Sequence, residues 1–83
     1  MADAIDQHLG HKIAHARRAS RWQVNELAEE IGVTAAELER METGRTRISA
    51  LHLARCANVL KRPLSWFYDG LPGQSKFEKS KLG

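Results

Sequence analysis

The sequence predicts an all-α fold of about five short helices. Apolar residues recur at spacings of three and four, which is the period of one helix face. Typical helix-start and helix-end residues separate these stretches, and the alternation expected of β-strands is missing. The chain has 83 residues, and a chain of this size buries only roughly 60% of its unfolded surface, which leaves room for one small core.

The first two predicted helices cover residues 6–19 and 24–31. Their apolar stripes are Leu9, Ile13 and Ala16 in the first helix, and Val24, Leu27, Ala28 and Ile31 in the second. We expect the Asp6 side chain to cap the first helix at its N-terminus. We expect Gly32 to end the second helix, because glycine readily adopts the left-handed conformation just past a helix end.

Three further helices are predicted from cap signals and apolar spacing. In residues 34–37 the threonine hydroxyl and the glutamate carboxylate can each bond the other's amide, and this capping box starts a third helix that ends near Glu42. A basic loop follows, and Ser49 is the expected N-cap of a fourth helix over residues 50–61. A proline then suits the first turn of a fifth helix over residues 64–68.

The chain is expected to form one domain with two flexible ends. The domain is predicted over residues 6–72, with residues 1–5 and the polar residues 73–83 as the flexible ends. The predicted core consists of Leu9, Ile13, Trp22, Leu27, Ala28, Ile31, Val33, Leu38, Met41, Ile48, Leu53, Ala57, Leu60, Leu64 and Phe67.

Composition and charge exclude several classes of protein. The chain is 42% hydrophobic and 28% charged, which is typical of a folded domain. The longest stretch without a charged side chain runs from Ile48 to Ala54, too short to span a membrane. No secretory signal is visible, and the single cysteine cannot form an internal disulfide, so a cytoplasmic protein is expected.

The charges are segregated along the chain. The net charge is +3, which makes nucleic acid a candidate partner. Residues 22–42 carry six glutamates and one arginine, whereas residues 43–62 carry five lysines and arginines and no carboxylate. A nucleic-acid surface would therefore have to be assembled from separate segments.

The second and third predicted helices have the spacing of a helix-turn-helix. Ala28 is small where the second helix of the pair must cross closely, Val33 fills the angle, and Leu38 packs back onto the first helix. The alternative from these residues alone is an ordinary corner between two helices of a small helical protein.

The surrounding residues resemble the phage-repressor-like, or Cro/XRE, helix-turn-helix family. The matching pairs are Leu27-Ala28 and Gly32-Val33, followed by Glu42-Thr43-Gly44-Arg45. Further matching stretches are residues 13–18, 48–49, 53–57 and 63–67, so that the resemblance covers about residues 8–72. It implies a dimeric five-helix domain that binds pseudo-palindromic operators with its third helix in the major groove.

The resemblance implies roles for individual residues. The positions that face or border base edges are Ala35, Ala36, Glu39 and Arg40. The positions near the phosphate backbone are Arg17, Gln23, Thr34, Arg45, Thr46 and Arg47. Arg17 and Glu42 match a pair that often joins the first and third helices, so a structural ion pair and a phosphate contact both stay open for Arg17.

The sequence departs from the family at several of these positions. Gln23 and Val24 replace the usual Ser or Thr followed by Gln, which weakens the cap and removes a phosphate-binding amide. Ala35 and Ala36 can touch a thymine methyl group but cannot hydrogen-bond a base. Base reading is therefore expected to depend mainly on Arg40, which can bond guanine in bidentate fashion, and on groove shape.

The resulting hypothesis is a non-enzymatic, sequence-specific DNA-binding protein, a transcriptional regulator of the repressor type that acts as a homodimer on double-stranded operator DNA. No cofactor, metal or small-molecule ligand is expected, and any switching would come from protein concentration, operator arrangement or a regulatory protein partner. The alternative is a protein-interaction module of the same fold that sequesters another regulator, an antiactivator, which the acidic motif helices favour.

The C-terminal third carries more apolar residues than so small a core can absorb. The expected dimer contact consists of Leu51, Val59, Leu64, Trp66 and Tyr68. Trp66 and Tyr68 flank a third aromatic residue on one short helix, so one or both are expected to be exposed. In the alternative, these two aromatic residues only cover the monomer core.

Three histidines and the cysteine receive ordinary interpretations. His8, His11 and His15 can share one helix face, and a solvated face is favoured over a metal site because a further ligand is hard to find. Cys56 has the neighbours of a core thiol, and no residue pattern marks it as a nucleophile.

Overall fold

Five α-helices make up the described part of the chain. The computed structural model describes residues 3–71 and contains no strand in that range, which confirms the all-α fold class. The helices are α1 (Ala4–Ala19), α2 (Val24–Ile31), α3 (Ala35–Glu42), α4 (Ala50–Leu60) and α5 (Leu64–Tyr68). The tail predicted over residues 73–83 lies outside the described residues.

Helix α1 begins earlier than predicted because a different aspartate caps it. The Asp3 carboxylate accepts from the Asp6 amide at 3.0 Å, and the Asp6 carboxylate accepts from the Asp3 amide at 3.2 Å. This reciprocal pair is a capping box, and it places Asp6 inside the first turn and not at the cap. Residues 3–5 therefore belong to the helix and its cap, and the prediction of a flexible end is wrong for them.

Helices α2, α3 and α5 have the predicted bounds. Gly32 follows α2 with φ of 81°, in the left-handed region that glycine tolerates best. Helix α4 stops one residue early at Leu60, because Lys61 also adopts a left-handed conformation, with φ of 58°. Pro63 stands at the N-cap of α5, one position before the first turn where we expected it.

The core lies between all five helices. The buried apolar side chains are Leu9, Ile13, Ala14, Ala16, Leu27, Ala28, Ile31, Leu38, Met41, Leu53, Cys56, Ala57, Leu60 and Phe67. Three predicted core residues, Trp22, Val33 and Ile48, are only half-buried and pack at its edge. Leu64 was predicted in the core and is 45% exposed, because the short α5 turns Phe67 inward instead.

A glycine allows α1 and α3 to cross closely. Gly10 is buried in α1, and a Cβ added there would lie 2.0 Å from the carbonyl oxygen of Met41 in α3. No side chain fits at that distance, so the backbones touch directly. This contact positions α3 against α1.

The loop after α3 is held on the first turns of α1. The buried Asp6 carboxylate accepts from the Ile48 amide at 3.1 Å, across 42 residues of sequence. Gly44, with φ of 75°, approaches Gln7 so closely that an added Cβ would lie 2.6 Å from Cγ of Gln7. The loop of residues 43–49 is therefore anchored at both ends.

Candidate nucleic-acid interface

Helix α3 has one buried and one exposed face. Leu38 and Met41 are buried against the other helices. The four residues predicted to face base edges, Ala35, Ala36, Glu39 and Arg40, are all exposed. Their spacing of one, three and one residues puts them on one side of a helix. The fold thus presents one continuous surface of α3 to solvent.

A complete capping box stabilises the start of α3. The Thr34 hydroxyl accepts from the Glu37 amide at 3.0 Å, and the Glu37 carboxylate accepts from the Thr34 amide at 2.9 Å. The hydrogen bond from the Thr34 backbone is the main cause that lowers the pKa of Glu37, and the charge of Arg40 adds a smaller effect. The hydroxyl of Thr34 accepts in this box and so keeps the ability to donate to a phosphate.

A groove joins this face of α3 to the end of α1 and the start of α2. It is lined by Arg17, Arg18, Val24, Ala36, Glu39, Arg40, Glu42, Thr43 and Arg45. Arg18, Arg40 and Arg45 are exposed, so three cationic side chains from three segments meet here. The surface expected from separate segments is therefore assembled by the fold, with Glu39 as the exposed acidic residue among them.

Arg17 and Glu42 lie at the bottom of this groove as a buried ion pair. Nε of Arg17 lies 2.6 Å from Oε2 of Glu42, and Nη2 donates to Oε1 at 3.0 Å. Nη1 donates to the carbonyl oxygen of Trp22 at 2.8 Å. The hydrogen bonds to Glu42 raise the pKa of Arg17, and its side chain is 11% exposed. Of the two roles open for Arg17, the structure shows the structural pair, with only the edge of the guanidinium at the surface.

The basic loop after α3 presents two exposed arginines. The Arg45 amide donates to the Arg40 carbonyl at 2.9 Å, which fixes the loop on the end of α3. Arg45 and Arg47 are exposed, whereas Thr46 is half-buried. The Asp6 backbone is the main cause that lowers the pKa of Asp3, with a smaller contribution from the charge of Arg47. Arg47 therefore lies on the α1 side of the loop, near a carboxylate.

The start of α2 is already occupied by a carboxylate. The Gln23 amide donates to Oε1 of Glu26 at 2.9 Å. A helix N-terminus attracts anions, and here a side chain of the same helix provides the anion. The Gln23 side chain is exposed and can still reach a ligand, but the backbone amide is less available than the predicted phosphate contact requires.

Arg55 has a structural role that the sequence did not reveal. Its Nη1 donates to the carbonyl oxygen of Ile31 at 3.2 Å, at the C-terminal end of α2. A cation at that end of a helix satisfies a carbonyl and opposes the helix dipole. Arg55 therefore ties α4 to α2, although by sequence it belonged to the basic segment.

The predicted dimer residues differ widely in exposure. Leu51 and Leu64 are 57% and 45% exposed. Val59, Trp66 and Tyr68 are half-buried and pack against the core, so the expectation of a fully exposed aromatic is wrong. The reason at Trp66 is that Nζ of Lys12 and the guanidinium of Arg62 each lie 4.3 Å from its ring centroid.

The remaining chemistry-bearing groups do not form a catalytic or metal site in residues 3–71. No cluster of His, Cys, Asp and Glu with metal-binding geometry occurs there. Burial, with a smaller effect from the charge of Glu42, raises the pKa of the Cys56 thiol to about 12, so it behaves as a core residue. None of the helices in this range is long and apolar enough to cross a membrane.

Comparisons with known proteins agree with this surface. Residues 8–65 match the family model described as a helix-turn-helix domain. An uncharacterized HTH-type transcriptional regulator of Sinorhizobium medicae is 30% identical over 69 residues, which cover 83% of this chain and 50% of that protein. A transcriptional regulator in the ATPase CF(0) region of Rhodospirillum rubrum is 34% identical over 67 residues, 81% of this chain and 62% of that protein. The chain thus spans about half the length of the curated relatives it matches.

Two solved structures share the fold. The clp gene regulator ClgR from Corynebacterium glutamicum superimposes with a TM-score of 0.79 at 21% identity, over 99% of this chain and 87% of that chain. SinR, the master regulator for biofilm formation, superimposes in its complex with DNA with a TM-score of 0.67 at 27% identity, over 74% of this chain and 98% of that chain.

Proposed function

The chain belongs to the helix-turn-helix domain family, and on that basis we propose that it is a sequence-specific DNA-binding transcriptional regulator of the repressor type. The relatives it matches are transcriptional regulators, which are not enzymes. The observation that carries the proposal is the exposed face of α3, bordered by cationic side chains of two other segments. Such a face can enter a major groove while the arginines around it neutralise phosphates.

Base reading depends on few side chains. Ala35 and Ala36 offer only methyl groups, which can contact a thymine methyl. Glu39 can accept from cytosine, and Arg40 can donate to guanine, so these two residues supply the hydrogen bonds to bases. Arg45 and Arg47 hold the phosphate backbone, together with the Thr34 hydroxyl and the exposed edge of Arg17.

A dimer provides the specificity that one such helix lacks. Two copies related by a two-fold axis place their α3 helices about 34 Å apart, one turn of the duplex, on an inverted repeat. The contact between the copies forms through Leu51, Val59, Leu64, Trp66 and Tyr68. The exposed Leu51 and Leu64 side chains support this surface, because an isologous contact would remove both from water.

One observation favours a second candidate, a protein-interaction module that sequesters another regulator. The Glu26 carboxylate occupies the Gln23 amide at the start of α2. It thereby places a negative charge where a regulator of the DNA-binding type would approach a phosphate, and Glu29 and Glu30 extend this acidic surface. The cationic groove beside α3 opposes this candidate.

Titration against DNA from the protein's own promoter region, at several salt concentrations, distinguishes the two functions. A DNA-binding regulator retains a tight complex in the presence of competitor DNA of unrelated sequence. Its affinity falls with salt in proportion to the phosphates neutralised. Weak binding that is insensitive to DNA sequence would contradict the proposal and favour the sequestering module.

A further inference from the structure

The side of α1 that faces away from the core carries a line of basic and titratable side chains. Its members recur at spacings of three, one, three and three residues and are His8, His11, Lys12, His15 and Arg18. Residues with this spacing lie one above the other on a helix face. His11, His15 and Arg18 are exposed, and His8 and Lys12 are half-buried. We refer to His11, Lys12, His15 and Arg18 as the histidine track.

The histidine track continues the groove beside α3. A concavity between α1 and the end of α3 is lined by His11, His15 and Arg18 on one side and by Glu42 and Thr43 on the other. Arg18, Glu42 and Thr43 also line the groove that contains Arg40. A further concavity, lined by His8, His11, Lys12, His15 and Trp66, extends the same surface to α5. One uninterrupted depression therefore leads from the base-reading face along α1.

The charges that face this depression are cationic or able to become cationic. Lys12 and Arg62 lie over the Trp66 ring, and the ring of His15 stacks on it with centroids 6.0 Å apart. Glu42 of α3 is the carboxylate among the lining residues, and its charge is taken up by Arg17. Protonation of the imidazoles therefore adds positive charge to a surface that Lys12 and Arg18 already make positive.

We propose that the histidine track binds phosphates of duplex DNA that flank the half-site. The inference rests on the proposed function and extends the footprint of each protein copy outward along α1. From His11 to Arg18 the track is about 10 Å long, at 1.5 Å per residue, and one DNA strand presents a charge about every 3.4 Å of helix axis. A protonated imidazole donates from both nitrogens, so contacts at His11 and His15 strengthen as the pH falls below neutral.

DNA is the occupant that this surface fits, and an acidic protein is the alternative. The track is continuous with the groove that receives the duplex, so a bound duplex already brings its backbone to Arg18. An acidic protein segment would have the same charge complementarity but would not need that continuity.

The test compares DNA binding at pH 6 and pH 8 on two duplexes. One duplex ends at the edges of the binding site, and the other extends by about one turn on each side. The double variant His11→Gln/His15→Gln removes the titratable groups, and His52→Gln on α4 is the matched control. Wild type on the long duplex is expected to show a salt slope steeper by about two units at pH 6 than at pH 8, because each phosphate contact adds about 0.9.

The double variant is expected to lose this pH-dependent steepening, and the control is expected to keep it. His11→Gln alone leaves the stacking of His15 on Trp66 in place and should remove about half of the effect. Equal slopes for wild type and the double variant on the long duplex at pH 6 would overturn the inference. So would binding of a poly-glutamate peptide to these histidines with no response to flanking DNA. If only the histidine track fails, specific binding to the short duplex at pH 8 persists, whereas its absence refutes the proposed function itself.

Discussion

The guanidinium of Arg17 grips both carboxylate oxygens of Glu42, at 2.6 Å and 3.0 Å, and joins the last turn of α1 to the end of α3. Nη1 of the same group donates to the Trp22 carbonyl, so the connection from α1 to α2 is held from the same point. Because α3 carries the base-reading face, this one pair sets the position of that face relative to both other helices at the groove.

Removal of the charge of Glu42 should destabilise the fold strongly. Glu42→Gln leaves the buried Arg17 without a counter-charge, and the loss of one partner from a buried pair costs about 3–5 kcal/mol of unfolding free energy. Denaturant unfolding measures this loss. Glu39→Gln on the exposed face of the same helix is the control and should change stability by less than about 0.5 kcal/mol. A double-mutant cycle with Arg17→Met that showed no coupling would contradict the prediction.

Gly10→Ala should destabilise the domain even though alanine favours helix. An added Cβ would lie 2.0 Å from the Met41 carbonyl oxygen, so α1 and α3 must move apart. Overpacking of this kind costs about 1–3 kcal/mol, which thermal or denaturant unfolding can measure. His11→Ala on the exposed side of the same helix should be neutral or slightly stabilising. Unchanged stability of the Gly10 variant would show that the two backbones do not touch in solution.

Arg40→Ala should change which sequences are preferred. The loss of a bidentate contact to guanine costs about 1–3 kcal/mol of discrimination at one base pair in each half-site. Arg45→Ala is the matched control: it should weaken binding to all sequences alike and reduce the salt slope by about one unit. Binding measured on a set of single-base operator variants separates the two results. The assignment of Arg40 is wrong if both affinity and preference stay unchanged in its variant.

The capping box of α3 should make part of the stability acid-sensitive. Hydrogen bonding to Thr34 lowers the pKa of Glu37 below its ordinary value of 4.5 in the folded chain. The stabilisation is therefore complete above about pH 4.5 and is lost as the pH falls through the lowered folded value. Glu37→Gln should flatten the fall of unfolding free energy between pH 5 and pH 3 relative to Glu30→Gln. An identical pH profile for the two variants would argue against this box in solution.

Leu51→Glu should weaken the proposed dimer. The side chain is 57% exposed in a single chain, and a charge in the contact between two copies would have to be buried. Ile5→Glu places the same charge on another exposed apolar residue, outside the proposed contact, and is the control. Sedimentation and hydroxyl-radical footprinting should show two chains on an inverted repeat for wild type and for the control. A single protected half-site bound by one wild-type chain without cooperativity would rule out the dimer.

The local signals of the sequence predicted most helix ends correctly. Gly32 after α2, the capping box at residues 34–37 and Ser49 before α4 all act within three or four residues, so their partners are present in the local sequence. The start of α1 was misplaced for a similar reason. Two aspartates stand three residues apart, each can cap a helix, and local spacing alone does not choose between Asp3 and Asp6.

The exposed face of α3 was also predictable, whereas the partners of the basic residues were only partly so. Helical periodicity turns Leu38 and Met41 inward, and it thereby leaves Ala36 and Arg40 outside. The pair of Arg17 and Glu42 came from family resemblance and not from spacing. Nothing in the local sequence indicated that Asp6 would hold the amide of Ile48.

The sequence by itself determined the five helices, their caps and the side of α3 that faces solvent, because these depend on interactions between near neighbours in the chain. Only the tertiary structure decided which cations serve the fold and which stay available to a ligand. Arg55 binds the end of α2 and Arg62 covers Trp66, while Arg40 stays at the surface. The physical reason is that a long, flexible cationic side chain pairs with whatever packing brings within reach, and those groups lie far away in sequence.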